Sequence, residues 1–521
     1  MPGEHVCPKG HREFESRPHR LMSKNHKNNN KKSLKVLFVV AEAYPYASVG
    51  GLGMAIFSLA NALKKLKVDV RIFMPKYGLI DEEKYHFKTV SKGLKVPTDE
   101  EKEEKKVLIC NVKKYISKKP KIPVYFLENR EYYEKRSNVY GYSDDPIRFT
   151  LLSRGALEFL RQSDWIPDII NCADWHTGIL PNYLKTAYKD EQKFSKIKTI
   201  LSIHNLYHQG IFDHRFVSEI DYDDGKAPIA SLFSERLAKQ NFLKRGIIFS
   251  DAINTVSETY AREILTLEYG EKLDNLLKEV RTKISGILNG LDYQELNPAT
   301  DKALSFNYSF SDFKKRNLNK ESLQKEFNLE ISQDIPILGM VGRLEEQKGL
   351  ELLFPILEIL ISEFNIQFVI VGAGDPKYRT FFEEISKKYP KKVGCHLLSD
   401  FKLARHIFAG ADIFLMPSKF EPCGITQMEA MRYGAVPVVR KTGGLADTVK
   451  DFNTLDNSGT GFVFEKFNSY AFLGAIVRAL ETYKHKKIWA KLVKRIMKSD
   501  FSWQTSAQKY LELYKKTLPS L

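Results

Sequence analysis

The chain has few cysteines, five in 521 residues, and none forms a CxxC pair or a zinc-type spacing with histidine. Scattered singly at Cys7, Cys110, Cys172, Cys395 and Cys423, they exclude a disulfide framework and argue against a structural metal. That usage fits a reducing, cytoplasmic setting. Long apolar runs are also missing. None reaches the roughly 18 residues that a membrane-spanning helix needs, so no membrane partner is expected. Residues 1–33 are polar, rich in Asn, Lys and His, and lack the apolar centre of a secretory signal. This basic tail is expected to be disordered. Its residues 12–17, Arg-Glu-Phe-Glu-Ser-Arg, back-translate to a string containing the T-arm of a transfer-RNA gene, so Met22 is expected to be the true start.

Positive charge, by contrast, is abundant: 81 Lys and Arg against 64 Asp and Glu, a net +17. The first 35 residues hold nine bases and three acids, and so supply six of that excess. The remainder is dispersed in mixed-sign runs such as Asp99 to Lys106, which read as solvated faces. A nucleic-acid partner is therefore not expected, whereas capture of a small polyanion would be assisted. Hydrophobic residues at 43% and aromatics at 12% describe a globular protein with enough chain for two cores.

Short β-branched runs alternate with helical patterns throughout, which predicts an α/β fold with parallel sheets. In the first half strands are predicted at Leu34–Val40, Val68–Met74, Pro123–Leu127, Asp168–Cys172, Thr199–His204 and Ala252–Val256. In the second half they are predicted at Ile337–Val341, Gln367–Val371, Gly394–Leu398, Ile413–Met416 and Val436–Val439. The polar stretch Asn297–Lys325 reads as the hinge region. The expected division is a tail over 1–33, doubly wound domains over 34–280 and 281–490, and a last helix over 491–521. Ligands of such domains lie at the carboxyl ends of the strands.

The densest such end is Pro417–Val449, PSKFEPCGITQMEAMRYGAVPVVRKTGGLADTV. Pro422 between Glu421 and Glu429 suits a helix's first turn, which leaves Glu421 in the preceding loop and Glu429 inside the helix. Gly424, Ile425 and Thr426 would then offer backbone N–H groups where anions bind, and a sugar diphosphate fits. Either glutamate alone reads better as merely solvated; the whole string argues otherwise. Arg343 and Lys348, five apart and flanked by Gly342 and Gly349 after a strand, can clamp a diphosphate as fork and point charge. Gly50, Gly51 and Gly53 after strand one would admit a phosphate close to the backbone. Lys441, Thr442, Gly443 and Gly444 form a second basic turn whose amides would reach the phosphates or the sugar.

Taken together, FEPCG, TGGLADTV, the Arg-x4-Lys-Gly string, Asp174-Trp175-His176 and His204-Asn205 resemble one family. It is the bacterial glycogen synthase and plant starch synthase family, retaining glycosyltransferases of family 5, and the resemblance runs from residue 34 to 521. It implies a GT-B architecture, two Rossmann-like domains facing across a deep cleft, with the last helix crossing back to the first domain. It implies transfer of glucose from ADP-glucose to the non-reducing 4-OH of an α-1,4-glucan, with no cofactor or metal. His176 would contact the donor sugar, and Asn205 and Asn241 would border it. Glu421 would orient the sugar and Glu429 would accept from the ribose, while Arg343 and Lys348 take the leaving diphosphate. Asp144 and Asp145 would line the acceptor side. Attack would come from the front face, with the departing ADP oxygen helping to deprotonate the acceptor.

This chain departs from the family's Lys-(Thr/Val)-Gly-Gly-Leu-(Gly/Ala)-Asp pattern twice: Ser48 stands at the lysine and Met54 at the aspartate. Two further readings follow. One is a related transferase using UDP-glucose or another acceptor, and the other is a weakly active glucan-binding or regulatory homologue.

Overall fold

The computed structural model describes residues 33–210 and 222–518, so the expectations for the tail and for Met22 lie outside the described residues. The first sheet contains β1 (Lys35–Val39), β2 (Asp69–Pro75), β3 (Lys88–Pro97), β4 (Val107–Ile116), β5 (Pro123–Glu128), β6 (Ile169–Ala173), β7 (Lys198–Ile203), β8 (Ala252–Thr255) and β9 (Ile284–Gly286). Their order is β3-β4-β5-β2-β1-β6-β7-β8-β9, parallel except for the antiparallel β3–β4–β5 edge. β1 reads Lys-Val-Leu-Phe-Val because it is central, paired on both sides and buried from Val36 to Val39, which favours a continuous apolar run.

The second sheet is wholly parallel: β10 (Ile337–Val341), β11 (Gln367–Val371), β12 (Val393–His396), β13 (Ile413–Met416), β14 (Val436–Arg440) and β15 (Phe462–Phe464), in the order β12-β11-β10-β13-β14-β15. In each sheet the strand order reverses beside the first strand of the domain, at β1/β6 and at β10/β13. Such switch points open a crevice at the carboxyl ends of the strands.

Three boundaries differ from the sequence reading. β9 pairs with β8, so the first sheet extends past residue 280. Helix Arg316–Glu326 overlaps the last ten residues of the stretch read as hinge; its Lys320 is buried and salt-bridged to Asp412 at 2.9 Å. Helix Lys486–Lys498 buries Trp489, Leu492 and Ile496 in the second core, so the return to the first domain begins only with helix Trp503–Thr517. There Tyr510 accepts from Asn254 and Tyr514 donates to Asn171, each at 2.8 Å. The crossover itself is a close pairing of two chain segments, with Leu291 N–H donating to Phe501 at 2.6 Å. Gly290 is required here, since a Cβ would sit 2.5 Å from the Trp503 nitrogen.

Candidate active site

After β10 the chain turns through Gly342 and Arg343, and after β13 through Ser418 to Glu421. These turns flank a cavity of about 160 Å³ lined by Gly342, Arg343, Lys348, Ser418 and Thr426. Lys348 comes from a single 3-10 turn, Glu346–Lys348, that ends at Gly349 with φ +64°, and a Cβ there would meet the Pro417 carbonyl. The turn aims the Lys348 ammonium at the Glu421 carboxylate, 2.7 Å away, and Ser418 Oγ donates to the same oxygen at 3.0 Å. Glu421 is buried, so its carboxylate is met by a cation and a hydroxyl rather than by water. Arg343 is different: two-thirds exposed, it leans on Glu345 at 2.8 Å and also lines a neighbouring cleft of about 390 Å³ with Tyr207, Tyr269 and Phe420.

Helix Thr426–Tyr433 meets the first cavity at Thr426 and is preceded by Gly424, whose φ of +67° suits glycine, and Ile425. Its first-turn amides have no intrahelical acceptor by geometry. Glu429 stands one turn inside, and burial pushes its carboxyl up to about 7 against the pull of Arg405.

The first domain closes over this face. A Cβ on Gly51 would lie 3.8 Å from Ile425 Cδ1 across the cleft, while Gly50 meets open space. Glu42, three residues beyond β1, is buried and accepts from Val49 N–H at 2.7 Å and from the Tyr140 hydroxyl at 3.4 Å. Tyr140 in turn feels the charge of Arg343 and lies 5.1 Å from the His176 ring. His176 stacks on Trp175 at 4.1 Å, and neither of its ring nitrogens has a hydrogen-bond partner among the described residues. Asp174 beside it, at φ +50°, accepts from the amides of His204 (2.6 Å) and Asn205 (3.4 Å), yet burial still pushes it up to about 7. Glu42 was not singled out from the sequence. Its only signal there is its place directly after strand one.

Several expected contacts are engaged elsewhere. Asn241 caps helix Phe242–Phe249 through Lys244 N–H at 2.9 Å and donates to Gln209 at 2.6 Å, so both ends of its amide are committed. Asn205 forms a turn by accepting from Tyr207 N–H at 3.1 Å. Thr442 Oγ1 and Gly443 N–H donate to Glu263, at 3.0 and 3.0–3.1 Å, and Gly444 N–H donates to the Glu421 carbonyl at 3.0 Å. These amides are therefore taken by protein groups rather than offered to a phosphate, and Lys441 points outward to Glu465 at 2.6 Å. Asp144 pairs with Arg136, and Asp145 with the wholly buried Arg148, so both acids hold the loop that presents Tyr140 instead of facing a ligand. Ser48 Oγ donates to the Gly50 carbonyl at 3.0 Å, on an exposed turn.

Burial drives the His176 imidazole down to about 3 and His204 to about 4. Their folded values lie below the unfolded one near 6.5, so the native state binds fewer protons in between. The stability they contribute is complete above about pH 6.5 and is lost as pH falls through the folded values, at about 1.4 kcal/mol per unit for each group. Urea unfolding of His176→Gln at pH 7 and at pH 4.5 is expected to show a shallower acid loss than the parent chain. An unchanged slope would mean that His176 is protonated in the fold.

Two facing Rossmann-like domains, with cations and a helix start at one switch point and an unpartnered histidine at the other, define a GT-B nucleotide-sugar glycosyltransferase. The first domain matches the family model "Starch synthase catalytic domain" over residues 35–279, and the second matches "Glycosyl transferases group 1" over residues 322–495. Glycogen synthase of Thermosipho melanesiensis is 41% identical over 93% of this chain and 99% of its own length. Glycogen synthase of Thermotoga maritima is 42% identical over the same shares. The solved catalytic domain of starch synthase IV from Arabidopsis thaliana, bound to ADP and acarbose, superposes with a TM-score of 0.79 at 32% identity, covering 93% of this chain and 99% of that one. The chain belongs to the glycogen synthase and starch synthase family of glucosyltransferases.

Proposed function

We propose that this enzyme transfers glucose, with retention, from ADP-glucose to the non-reducing 4-OH of an α-1,4-glucan. The observation that carries the reading is the Lys348–Glu421 pair at a cavity that Arg343 also lines, with the Gly51 turn of the first domain set against Ile425 at the start of the second domain's helix. The starch synthase IV structure holds ADP and acarbose, a nucleotide and a glucan-like sugar, which supports the same pairing of ligands here.

Arg343, Lys348 and the amides at Gly424–Thr426 take up the charge that develops on the leaving diphosphate. His176, neutral across the working pH range, both donates to and accepts from sugar hydroxyls. Glu421 orients the donor sugar; held by Lys348 and Ser418, it is placed to bind rather than to form a covalent bond. Attack is therefore from the front face, and the departing ADP oxygen helps to remove the acceptor proton. Glu429 accepts from the ribose. Closure of the cleft keeps water from competing with the glucan.

Ser48 and Met54 favour one second reading, a scaffold whose donor site is weakened, because no ammonium stands where the family pattern has lysine. Glucose incorporation into glycogen, measured with ADP-glucose and UDP-glucose for wild type and Ser48→Lys, separates these. Activity with ADP-glucose is expected in the wild type, and Ser48→Lys is expected to tighten donor binding by about 1–3 kcal/mol through a charge-assisted contact. Activity with UDP-glucose alone would move the enzyme to a sister specificity. Silence with both donors, relieved by the lysine, would support the weakened scaffold.

A further inference from the structure

The loop that carries Glu421 is gripped from the opposite domain. Helix Glu258–Glu263 belongs to the first domain and is capped by Ser257, whose Oγ accepts from Tyr260 N–H at 3.1 Å. The same hydroxyl donates to the carbonyl of Pro422, the residue after Glu421, at 2.6 Å. At the other end of the helix the Glu263 carboxylate accepts from Thr442 Oγ1 and from Gly443 N–H. Between them Thr259 donates twice to Asp447, at 2.6 and 2.9 Å. The grip passes directly to Glu421. Gly444 N–H donates to its carbonyl, and a Cβ on Gly443 would lie only 2.0 Å from that oxygen. A Cβ on Gly444 would lie 1.8 Å from the Cys423 carbonyl. No side chain cushions these contacts, and close-packed interiors transmit small shifts.

We propose that Ser257 and Glu263 are positioning residues for glucosyl transfer. They convert the apposition of the two domains into the placement of the Glu421 carboxylate. The inference rests on the reading of Glu421 as a donor-orienting group. It bears on nucleotide affinity less than on the chemical step, because Arg343 is held by Glu345 of its own domain and Lys348 is fixed by its own turn, Glu346–Lys348. A carboxylate at 263 suits the role because one oxygen, Oε1, accepts from both Thr442 and Gly443. A glutamine carbonyl can do the same, whereas alanine removes both acceptors.

The test is steady-state glucosyl transfer to glycogen from ADP-glucose, with ADP binding by calorimetry and thermal unfolding alongside. Glu263→Ala is expected to lower kcat about tenfold, short of the roughly hundredfold that a full 1 Å misplacement costs. ADP affinity, donor KM and the unfolding temperature should stay near wild type, and Glu263→Gln should restore most of kcat. Ser257→Ala should lower kcat in the same direction. In a Glu421→Gln background, Glu263→Ala should change nothing further, since one group acts through the other. An unchanged kcat in Glu263→Ala would overturn the proposal. So would a parallel loss of ADP binding and thermal stability, which would make the contact a plain brace. Full activity of Glu421→Gln would instead remove the role proposed for Glu421 and with it the premise.

Discussion

Lys348→Ala is expected to lower kcat/KM for glucosyl transfer by about 10²–10³, the usual cost of deleting one preorganised group that faces developing charge. Two effects add. The ammonium lies in the cavity with Arg343, where the departing diphosphate would gather negative charge, and its removal leaves one cation there that is largely in water. The Glu421 carboxylate, buried and 2.7 Å from that ammonium, also loses its counter-charge and keeps only the Ser418 hydroxyl. Both losses bear on the transition state, so kcat should fall further than ADP affinity does. Lys348→Arg should rescue poorly, because a planar fork does not fit a site built around a point charge. Transfer to glycogen and ADP titration of the two variants check this, and activity within about threefold of wild type would contradict it.

Much of the fold was legible because the second sheet is parallel and covered on both faces. There β10, β11 and β13 coincide with the predicted runs, since each strand is a short block of apolar residues between turns. The β3–β4 hairpin was not found. It is an edge pair, where Leu94, Val96, Cys110 and Val112 face inward while lysines and Ile109 face solvent, and its lysine-rich pattern resembles a loop. Helix Arg316–Glu326 escaped for the opposite reason: four of its polar residues, Arg316, Asn319, Lys320 and Gln324, are buried. Arg316 donates to the Tyr433 carbonyl at 3.0 Å and Lys320 donates to the Gln333 carbonyl at 2.9 Å, so polarity there signals a bonded interior rather than a hinge.

The site shows the same division. Residues marked by strand ends and by spacing, Gly342, Arg343, Lys348 and Thr426, line one cavity, and Glu421 pairs with Lys348 there. Asn241 and Gly443 have protein partners that the sequence does not announce, because an asparagine before a helix is equally a cap, and a glycine amide serves a carboxylate as readily as a phosphate. The pairing of residues 263 and 443 crosses two domains, and no local pattern announces it.

Asp145→Ala should be the most damaging single change to stability, at about 3–5 kcal/mol, although this acid was first read as lining the acceptor side. Its partner Arg148 has no exposed side-chain surface, and the two form a salt bridge inside helix Asp145–Arg161. Arg148 also donates to the carbonyls of Tyr132 at 2.7 Å and Val139 at 3.0 Å, while Asp145 accepts from Gly141 and Tyr142 N–H. Removing the carboxylate would therefore strand a guanidinium in the interior and release the loop 136–145. That loop carries Tyr140, which bonds Glu42 and covers His176, so activity should fall together with the urea midpoint. Asp145→Asn, which keeps an acceptor but no charge, should lie between the two. If acceptor contact were the main role of Asp145, Asp145→Ala would raise KM for glycogen with the urea midpoint unchanged. The buried arginine predicts the reverse, because a stranded charge costs the fold before it costs the substrate.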